Sequence, residues 1–405
     1  MNKEKLSSIS TSSEIQIEES EITAFNRENS EKYSFRVYKD GIAGIKFVKG
    51  KINDDDGFRA AEENLALKRP YKFELESGSR HRDKTEKEYS DKELMETARE
   101  TLNYLKKNYP DFTYTGSVSK TKKTVSAKND VGMDYSDTDC TMSVGVRFKH
   151  KDSKDIYDGY FGLSKRVFDL KEFTDMADNY LSHYCTPAEL PEEMIIQVQY
   201  YGLLAKIREC LDAEKIALGA SLFSGKIGEK LFSDRFTVLH DVSDKETWHN
   251  CFFDGDGAVL PDDKYTYIKN GVLLTGYADK RTADKYGVKS TGSAVCDFSD
   301  TPSNGNVNLR IERSDKTVKE LLDGRLSVVP MVYSGGGFND KGDYAMPVQK
   351  AYLCDGGKFL GVLPEFTLSG NMYDMFSDDF IGVGSDDPIF SDKQILLKMK
   401  YNTNI

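Results

Sequence analysis

Turn-forming residues recur at short intervals through the last third of the chain, and they constrain the fold more than any other feature. Between Cys251 and Asp386, glycine with Asn or Asp neighbours alternates with short β-branched and aromatic runs. The turns include Phe253-Asp-Gly-Asp-Gly257, Ile268-Lys-Asn-Gly-Val272, Ser290-Thr-Gly-Ser-Ala294, Ser334-Gly-Gly-Gly-Phe338 and Thr367-Leu-Ser-Gly-Asn371. This pattern is typical of consecutive hairpins, so it predicts an antiparallel sheet.

The first half of the chain mixes strand and helix patterns. Strand-like alternation predicts strands within residues 14–18, 33–38, 44–48, 112–128, 139–149 and 156–169. Apolar residues at helical spacing predict helices over residues 55–68, from the capping box at Ser90 to Pro110, and over residues 170–185. The charged segment 76–90 is expected to be a mobile connection.

The length of the chain favours two domains. At 405 residues it exceeds what one typical core holds. Two prolines within residues 186–191 mark a change from mixed helix and strand to the turn-rich block. We therefore expect an α+β protein with one domain at residues 1–190 and a second at residues 191–405.

Charge and cysteine usage limit the classes of partner. The formal net charge is −11, which argues against a general nucleic-acid surface, and the basic residues at 120–128 are interpreted as a solvated face. Residues 1–20 lack the apolar core of a signal peptide, and no apolar run approaches the length of a membrane span. The six cysteines are scattered without a CxxC pair, which indicates free thiols. We expect a cytoplasmic protein that binds neither nucleic acid nor membrane.

The order and spacing of these turn motifs resemble the C-terminal domain of the TldD/PmbA family, bacterial proteins once called modulators of DNA gyrase. Residues 35–44, Phe-Arg-Val-Tyr-Lys-Asp-Gly-Ile-Ala-Gly, resemble the N-terminal hairpin of that family. The resemblance implies a mixed-sheet N-terminal domain with two or three helices and a C-terminal domain with a large, curved, mainly antiparallel sheet. It also implies a dimer and a role in the proteolysis of peptides.

One departure from the family pattern determines what kind of member this chain resembles. TldD chains carry an HExxxH motif on a helix that holds the catalytic metal, whereas PmbA (TldE) chains lack it. Here the matching helix follows Gly202, and its motif positions hold Ala205, Lys206 and Cys210. Alanine has no ligand atom, and a lysine ammonium only donates hydrogen bonds and repels a cation. We therefore expect no metal, no cofactor and no catalytic residue at this position.

Other motifs have weaker functional interpretations. Asp254 and Asp256 begin like a calcium loop but lack its later acidic ligand, and Ser334 to Gly337 lacks the lysine and helix of a phosphate loop. Both are interpreted as turns. The candidates for contact with a peptide or partner are turn residues whose backbone we expect to be exposed, namely Thr291, Gly292, Gly335, Gly336, Gly370 and Asn371.

Three functional hypotheses follow. The first is a non-catalytic, PmbA/TldE-like subunit that pairs with a TldD-like metalloprotease subunit and helps it to process or degrade peptides. The second is an independent homodimer that binds peptides without cleaving them. The third is a metal-independent hydrolase whose nucleophile is Cys210 or Cys354. The first carries most weight, because the ligand set is missing from an otherwise matching sequence.

Overall fold

Long antiparallel strands form the first sheet of the molecule. The computed structural model describes residues 1–199, 201–243, 249–305, 307–390 and 393–403. In chain order, this part contains β1 (Asn2–Glu18), β2 (Glu21–Lys39), β3 (Ile42–Lys49), α1 (Asp54–Glu63), β4 (Arg69–Pro70), β5 (Gly78–Asp83), α2 (Asp91–Asn108), β6 (Phe112–Asn129), β7 (Met133–His150), β8 (Gly159–Lys165) and α3 (Leu170–Ser182). The strand order is β4-β3-β2-β1-β6-β7-β5, with β8 also paired to β7. Because β5 runs parallel to β7 and the other neighbours are antiparallel, the sheet is mixed, as predicted.

Two features of this sheet differ from the sequence-based expectation. β1 and β2 extend well beyond the predicted segments, because their Ser-, Thr- and Glu-rich halves pair with each other along the full hairpin although they bury little apolar surface. The charged segment predicted to be a mobile connection contains strand β5 instead. Arg80 and Arg82 of β5 form ion pairs with Asp263 and Asp137, so charge pairing holds this segment in place.

Helix α2 shows how local sequence and packing agree in this part. The Ser90 hydroxyl accepts a hydrogen bond from the Glu93 backbone, and the Glu93 carboxylate accepts one from the Ser90 backbone. The backbone N–H and the hydroxyl of Ser90 both donate to the Glu93 carboxylate and lower its pKa to about 2. The apolar side of the helix is buried on the sheet and consists of Leu94, Ala98, Leu102 and Leu105. The predicted capping box and apolar face are therefore both present.

The turn-rich part of the chain forms a large sheet, a smaller four-stranded sheet and a two-stranded pair. In chain order, it contains β9 (Ile195–Gln199), α4 (Tyr201–Cys210), α5 (Ala213–Ala217), β10 (Val238–Asp241), β11 (Lys264–Lys269), β12 (Val272–Leu273), α6 (Lys280–Tyr286), β13 (Ala294–Val295), β14 (Ser303–Asn304), β15 (Leu309–Ile311), α7 (Val318–Leu322), β16 (Ser327–Tyr333), β17 (Gly337–Phe338), β18 (Asp343–Cys354), β19 (Phe359–Leu363), β20 (Phe366–Asn371), α8 (Met372–Phe376), β21 (Phe380–Val383), β22 (Gln394–Lys398) and β23 (Lys400–Asn402). The large sheet has the order β21-β22-β9-β16-β18-β20-β23, and its pairs are antiparallel apart from β9 with β16. The predicted α+β fold class is confirmed.

Buried side chains from both parts of the chain share one apolar cluster. Tyr180 of α3 packs against Phe359 of β19, with ring centroids 4.9 Å apart, and its backbone carbonyl accepts a hydrogen bond from the Tyr352 hydroxyl. The two sheets are therefore joined through apolar contacts. The boundary predicted at residue 190 falls between α3 and β9, and it stays a prediction.

No helix in the described ranges is both long enough and apolar enough to span a membrane.

Candidate functional site

Helix α4 carries the three residues that the sequence analysis aligns with the two His positions and the Glu position of the HExxxH motif, namely Ala205, Cys210 and Lys206. Its buried side is mainly apolar and includes Leu203, Leu204 and Ile207. Ala205 lies on the exposed side of the helix, whereas Lys206 and Cys210 lie on the buried side. The motif positions are therefore divided between two faces.

Lys206 is buried with its charge paired on the same helix. Its side chain is only 6% exposed, and its ammonium lies 3.0 Å from Glu209 Oε2. Lys215 Nζ lies 3.3 Å from the other oxygen of the same carboxylate. The hydrogen bond from Lys206 is the main cause that lowers the pKa of Glu209. This turn of the helix thus carries an ion pair in which the Lys206 ammonium is the buried partner and the Glu209 carboxylate is the exposed one.

The two candidate nucleophilic thiols are enclosed. Cys210 is 2% exposed, and burial raises the pKa of its thiol although Lys206 lowers it. Cys354 is fully buried at the end of β18, and burial raises the pKa of its thiol to about 12. Reactive cysteines need a lowered pKa and access to solvent. Neither environment favours the cysteine-hydrolase hypothesis.

Within the parts of the chain that the structure describes, no group of three or more His, Cys, Asp and Glu side chains is placed to hold a metal ion. The buried histidine His240 has a structural role instead. The ring of His240 is buried, and its Nδ1 accepts a hydrogen bond from the backbone N–H of Asn308 at 2.9 Å. Burial lowers the pKa of His240 to about 4. This ring is thus a neutral acceptor within the smaller sheet.

Thr291 and Gly292 do not expose their backbone as expected. Thr291 is fully buried, and its backbone N–H donates to the carbonyl of Ala278 at 2.8 Å. Its hydroxyl accepts a hydrogen bond from the backbone N–H of Ala278 at 3.0 Å. Gly292 is buried beside Leu260 with a φ of +63°, a conformation that glycine adopts easily. This turn holds two loops together, and an extended peptide cannot reach it without local opening.

The other candidate turn residues meet at one end of the large sheet. Gly335 and Gly336 are exposed and precede β17, which lies close to α4. Gly370 pairs with Tyr344 of β18, while the Asn371 side chain accepts from the backbone N–H of Tyr373 and caps α8. Strands β17 and β20 both pair with the start of β18. The structure therefore brings these four residues into one region and leaves Thr291 and Gly292 elsewhere.

A cavity of about 670 Å³ lies where the two sheets meet, beside the first turn of α4. Its floor is one face of β6, β7 and β8, where two rows of small residues cross the sheet in register. One row is Ser117, Gly145 and Gly162, and the other is Ser119, Ser143 and Ser164. Gly145 and Gly162 leave room for the Tyr160 ring, since a Cβ added at either glycine would lie 2.6 or 2.7 Å from the Tyr160 hydroxyl. The serines leave open space beside this ring. Rings of Tyr160, Tyr201, Tyr333 and Phe390 stand around it.

Pro330 explains why the large sheet opens at this cavity. β9 and β16 pair in parallel at Ile196 and Val328 only, among the described residues. Continuing that register would place Pro330 opposite Val198, but proline has no N–H to donate to a neighbouring strand. Both residues line the cavity, and each pairs with the strand on its other side, Pro330 with Ala351 and Val198 with Ile395. The missing N–H of one proline thus accounts for the gap between these two strands.

Sequence reasoning did not identify this cavity. A signal was present in the alternate small residues of three predicted strands and in the proline within an apolar strand. Neither signal specifies which strands are neighbours. The rows of small residues on β6, β7 and β8 can therefore be recognised only when the strand pairing is known.

Comparisons with known proteins agree on one family and one fold. Residues 198–395 match the family model described as the PmbA/TldA metallopeptidase C-terminal domain. A metalloprotease of Archaeoglobus fulgidus is 24% identical over 393 residues, which cover 91% of this chain and 88% of that protein. A metalloprotease TldD homologue of Buchnera aphidicola is 27% identical over 156 residues, which cover 38% of this chain and 32% of that protein. The crystal structure of TldE from Thermococcus kodakarensis is similar with a TM-score of 0.81 at 17% identity, covering 99% of this chain and 96% of that chain. At this identity, the structural likeness shows the fold alone.

Proposed function

Because the chain belongs to the TldD/PmbA family of metallopeptidases, we propose that it is a PmbA/TldE-like, non-catalytic subunit of a TldD-type metalloprotease that processes or degrades peptides. One observation carries this proposal. The helix that matches the family's metal-binding helix has Ala205, Lys206 and Cys210 at the motif positions, and the buried ammonium of Lys206 opposes a cation there.

The proposed role needs a partner. A TldD-like chain would supply the metal and the general base, and this chain would complete the space in which peptides are held. Likeness to a TldD homologue and to TldE supports a partner of that kind. The six cysteines, all of them free in the structure, suit a reducing cytoplasm, which is where we place the complex.

Metal content and peptidase activity, measured on the same preparations, test the proposal. The isolated chain should bind no stoichiometric zinc and cleave no unfolded peptide, whereas a mixture with a TldD-like subunit from the same cell should cleave it faster than that subunit alone. Zinc held by the isolated chain, or cleavage by it, would show that it is an enzyme in its own right. If the mixture cleaves the peptide no faster than the TldD-like subunit alone, this chain does not support catalysis.

An independent homodimer that binds peptides is the second candidate. The cavity between the two sheets favours it, because this space is formed within one chain. Sedimentation at several concentrations distinguishes the two candidates. A stable self-dimer that does not exchange with the TldD-like chain supports the second candidate, and a mixed complex supports the first.

A further inference from the structure

Among the residues that the structure describes, two strand edges without a neighbouring strand border the cavity between the two sheets. Five consecutive residues of β8, from Tyr160 to Ser164, line it, although alternate side chains of a strand point to opposite faces. The cavity therefore touches the edge of β8 as well as its face. Within the described residues, β8 pairs with β7 alone. An unpaired edge presents backbone N–H and C=O groups to whatever enters the space.

The opposite border is the last part of β16. This strand pairs with β18 along one edge, and its pairing with β9 involves only Val328 within the described part of the chain. Pro330, Met331 and Tyr333 line the cavity on this side. Although Pro330 has no N–H, its carbonyl remains able to accept a hydrogen bond. An extended segment placed here meets the edge of one sheet on each side.

The lining sets the chemistry of the occupant. None of the described residues that line the cavity is acidic, basic or histidine, although the chain as a whole carries a formal charge of −11. A charged group entering the cavity loses water without gaining an ion partner, which is unfavourable. The serine hydroxyls of the floor both donate and accept hydrogen bonds, and the tyrosine rings offer apolar faces.

From this geometry we infer that the cavity binds an extended, uncharged peptide segment as an added strand against β8, with its side chains against Tyr160 and Tyr333. The choice of a peptide as occupant rests on the proposed function. The five lining residues of β8 correspond to an extended segment of about 16 Å at roughly 3.3 Å per residue, which suits a ligand of about six residues. The site lies at the start of α4, outside the positions held by Ala205, Lys206 and Cys210.

Fluorescence anisotropy on the isolated full-length chain tests this inference. The probe is a fluorescein-labelled peptide of six alternating Thr and Phe residues with blocked ends, compared with peptides that carry Glu or Lys in place of Phe. We expect the neutral peptide to bind at least tenfold more tightly than either charged one. Methylation of alternate backbone nitrogens should also weaken binding at least tenfold, because it removes the donors that pair with a strand edge.

Variants at the rim locate the site. Tyr160 and Tyr333 are 54% and 55% exposed, so Tyr160→Ala and Tyr333→Ala should leave the fold intact, which circular dichroism checks. We expect the double variant to weaken binding of the neutral peptide at least tenfold. Tyr157→Ala is the matched control, since Tyr157 is also partly exposed but does not line the cavity, and it should not alter binding.

Three results would overturn the inference. These are an unchanged affinity in the double variant, equal binding of neutral and charged peptides, and binding of a labelled neutral oligosaccharide with no binding of the peptide. Because binding is measured on this chain alone, its failure is separate from that of the proposed function, which is judged by metal content and by activity in the mixture.

Discussion

The ammonium of Lys206 lies 3.0 Å from the carboxylate of Glu209, three residues further along α4. The two groups are unequally enclosed, because Lys206 is buried and Glu209 is about half exposed. A buried ammonium is stabilised only while an acceptor remains near it. Loss of the Glu209 carboxylate should therefore destabilise the protein more than loss of the Lys206 ammonium.

Replacing the two partners of this pair should have unequal effects. Glu209→Ala leaves the buried ammonium without this acceptor and should lower the free energy of unfolding by about 1–3 kcal/mol. Lys206→Met removes the buried charge together with its desolvation cost, and it should change stability by less than about 1 kcal/mol. Lys215→Ala, at the more exposed partner of the same carboxylate, is the control. Urea unfolding measures all three, and a larger loss for Lys206→Met would contradict the explanation.

Stability should depend on pH through His240. The pKa of this buried ring is lowered from 6.5 to about 4, so the unfolded chain binds the proton at a higher pH than the folded chain does. Its contribution is therefore fully present above pH 6.5 and is lost as the pH falls from 6.5 towards 4. The difference corresponds to about 3 kcal/mol at 1.36 kcal/mol per pKa unit.

His240→Asn keeps an acceptor near the backbone N–H of Asn308 but cannot titrate, so it should flatten the pH profile of stability between pH 4 and 6.5. Urea midpoints across that range provide the measurement. His81→Asn, at an exposed histidine, is the control. An unchanged slope in the His240 variant would mean that other groups cause the acid sensitivity.

Arg36 connects the first sheet to loops of the second part of the chain. It is almost fully buried, pairs with Glu4, and donates to the backbone carbonyls of Gly255 and Asp297. Arg36→Met leaves the Glu4 carboxylate buried without its cation and should cost about 3–5 kcal/mol. Adding Glu4→Gln should recover part of that loss.

Hydrogen exchange distinguishes this loss from general destabilisation. Amides near Gly255 and Asp297 should exchange faster in Arg36→Met than in Arg27→Met, where the replaced side chain is largely exposed. If the double variant is no more stable than Arg36→Met, the buried pair is not the source of the effect.

Two glycines should respond in opposite directions to alanine. At Gly44, an added Cβ would lie 2.0 Å from the carbonyl oxygen of Ala61, so α1 must move away from β3. We expect Gly44→Ala to destabilise the protein by about 1–3 kcal/mol. At Gly202 in α4, the added Cβ meets nothing within 4 Å, and alanine should stabilise the helix by up to about 1 kcal/mol. Thermal unfolding of both variants tests this contrast.

The reactivity of the cysteine thiols should decrease with their burial. Cys185 is exposed, whereas Cys210 and Cys354 are buried and have raised thiol pKa values. An aromatic disulfide reagent should therefore modify Cys185 first, and Cys185→Ser should remove the fast phase. Mass spectrometry identifies the modified residues. Rapid modification of Cys210 in the folded protein would reopen the cysteine-hydrolase hypothesis.

Local patterns in the sequence determined much of the fold. The capping box at Ser90 and the apolar spacing behind it were sufficient for α2, because helix contacts and caps join residues only a few positions apart. The residues at the motif positions could also be identified without the structure, since alanine has no ligand atom and a lysine ammonium has no free electron pair.

The tertiary structure decided what depends on neighbours that are distant in sequence. The charged sequence of β5 alone indicated a mobile connection. The strand is held in place because Arg80 forms an ion pair with Asp263 and Arg82 forms one with Asp137. Thr291 is buried because two loops close over it, although its turn sequence is typical of exposed backbone. The cavity arises because small residues of β6, β7 and β8 lie side by side, while β9 and β16 pair only at Ile196 and Val328 in the described part of the chain. Strand register and sheet order are properties of the whole chain, so a local pattern allows these contacts but does not select them.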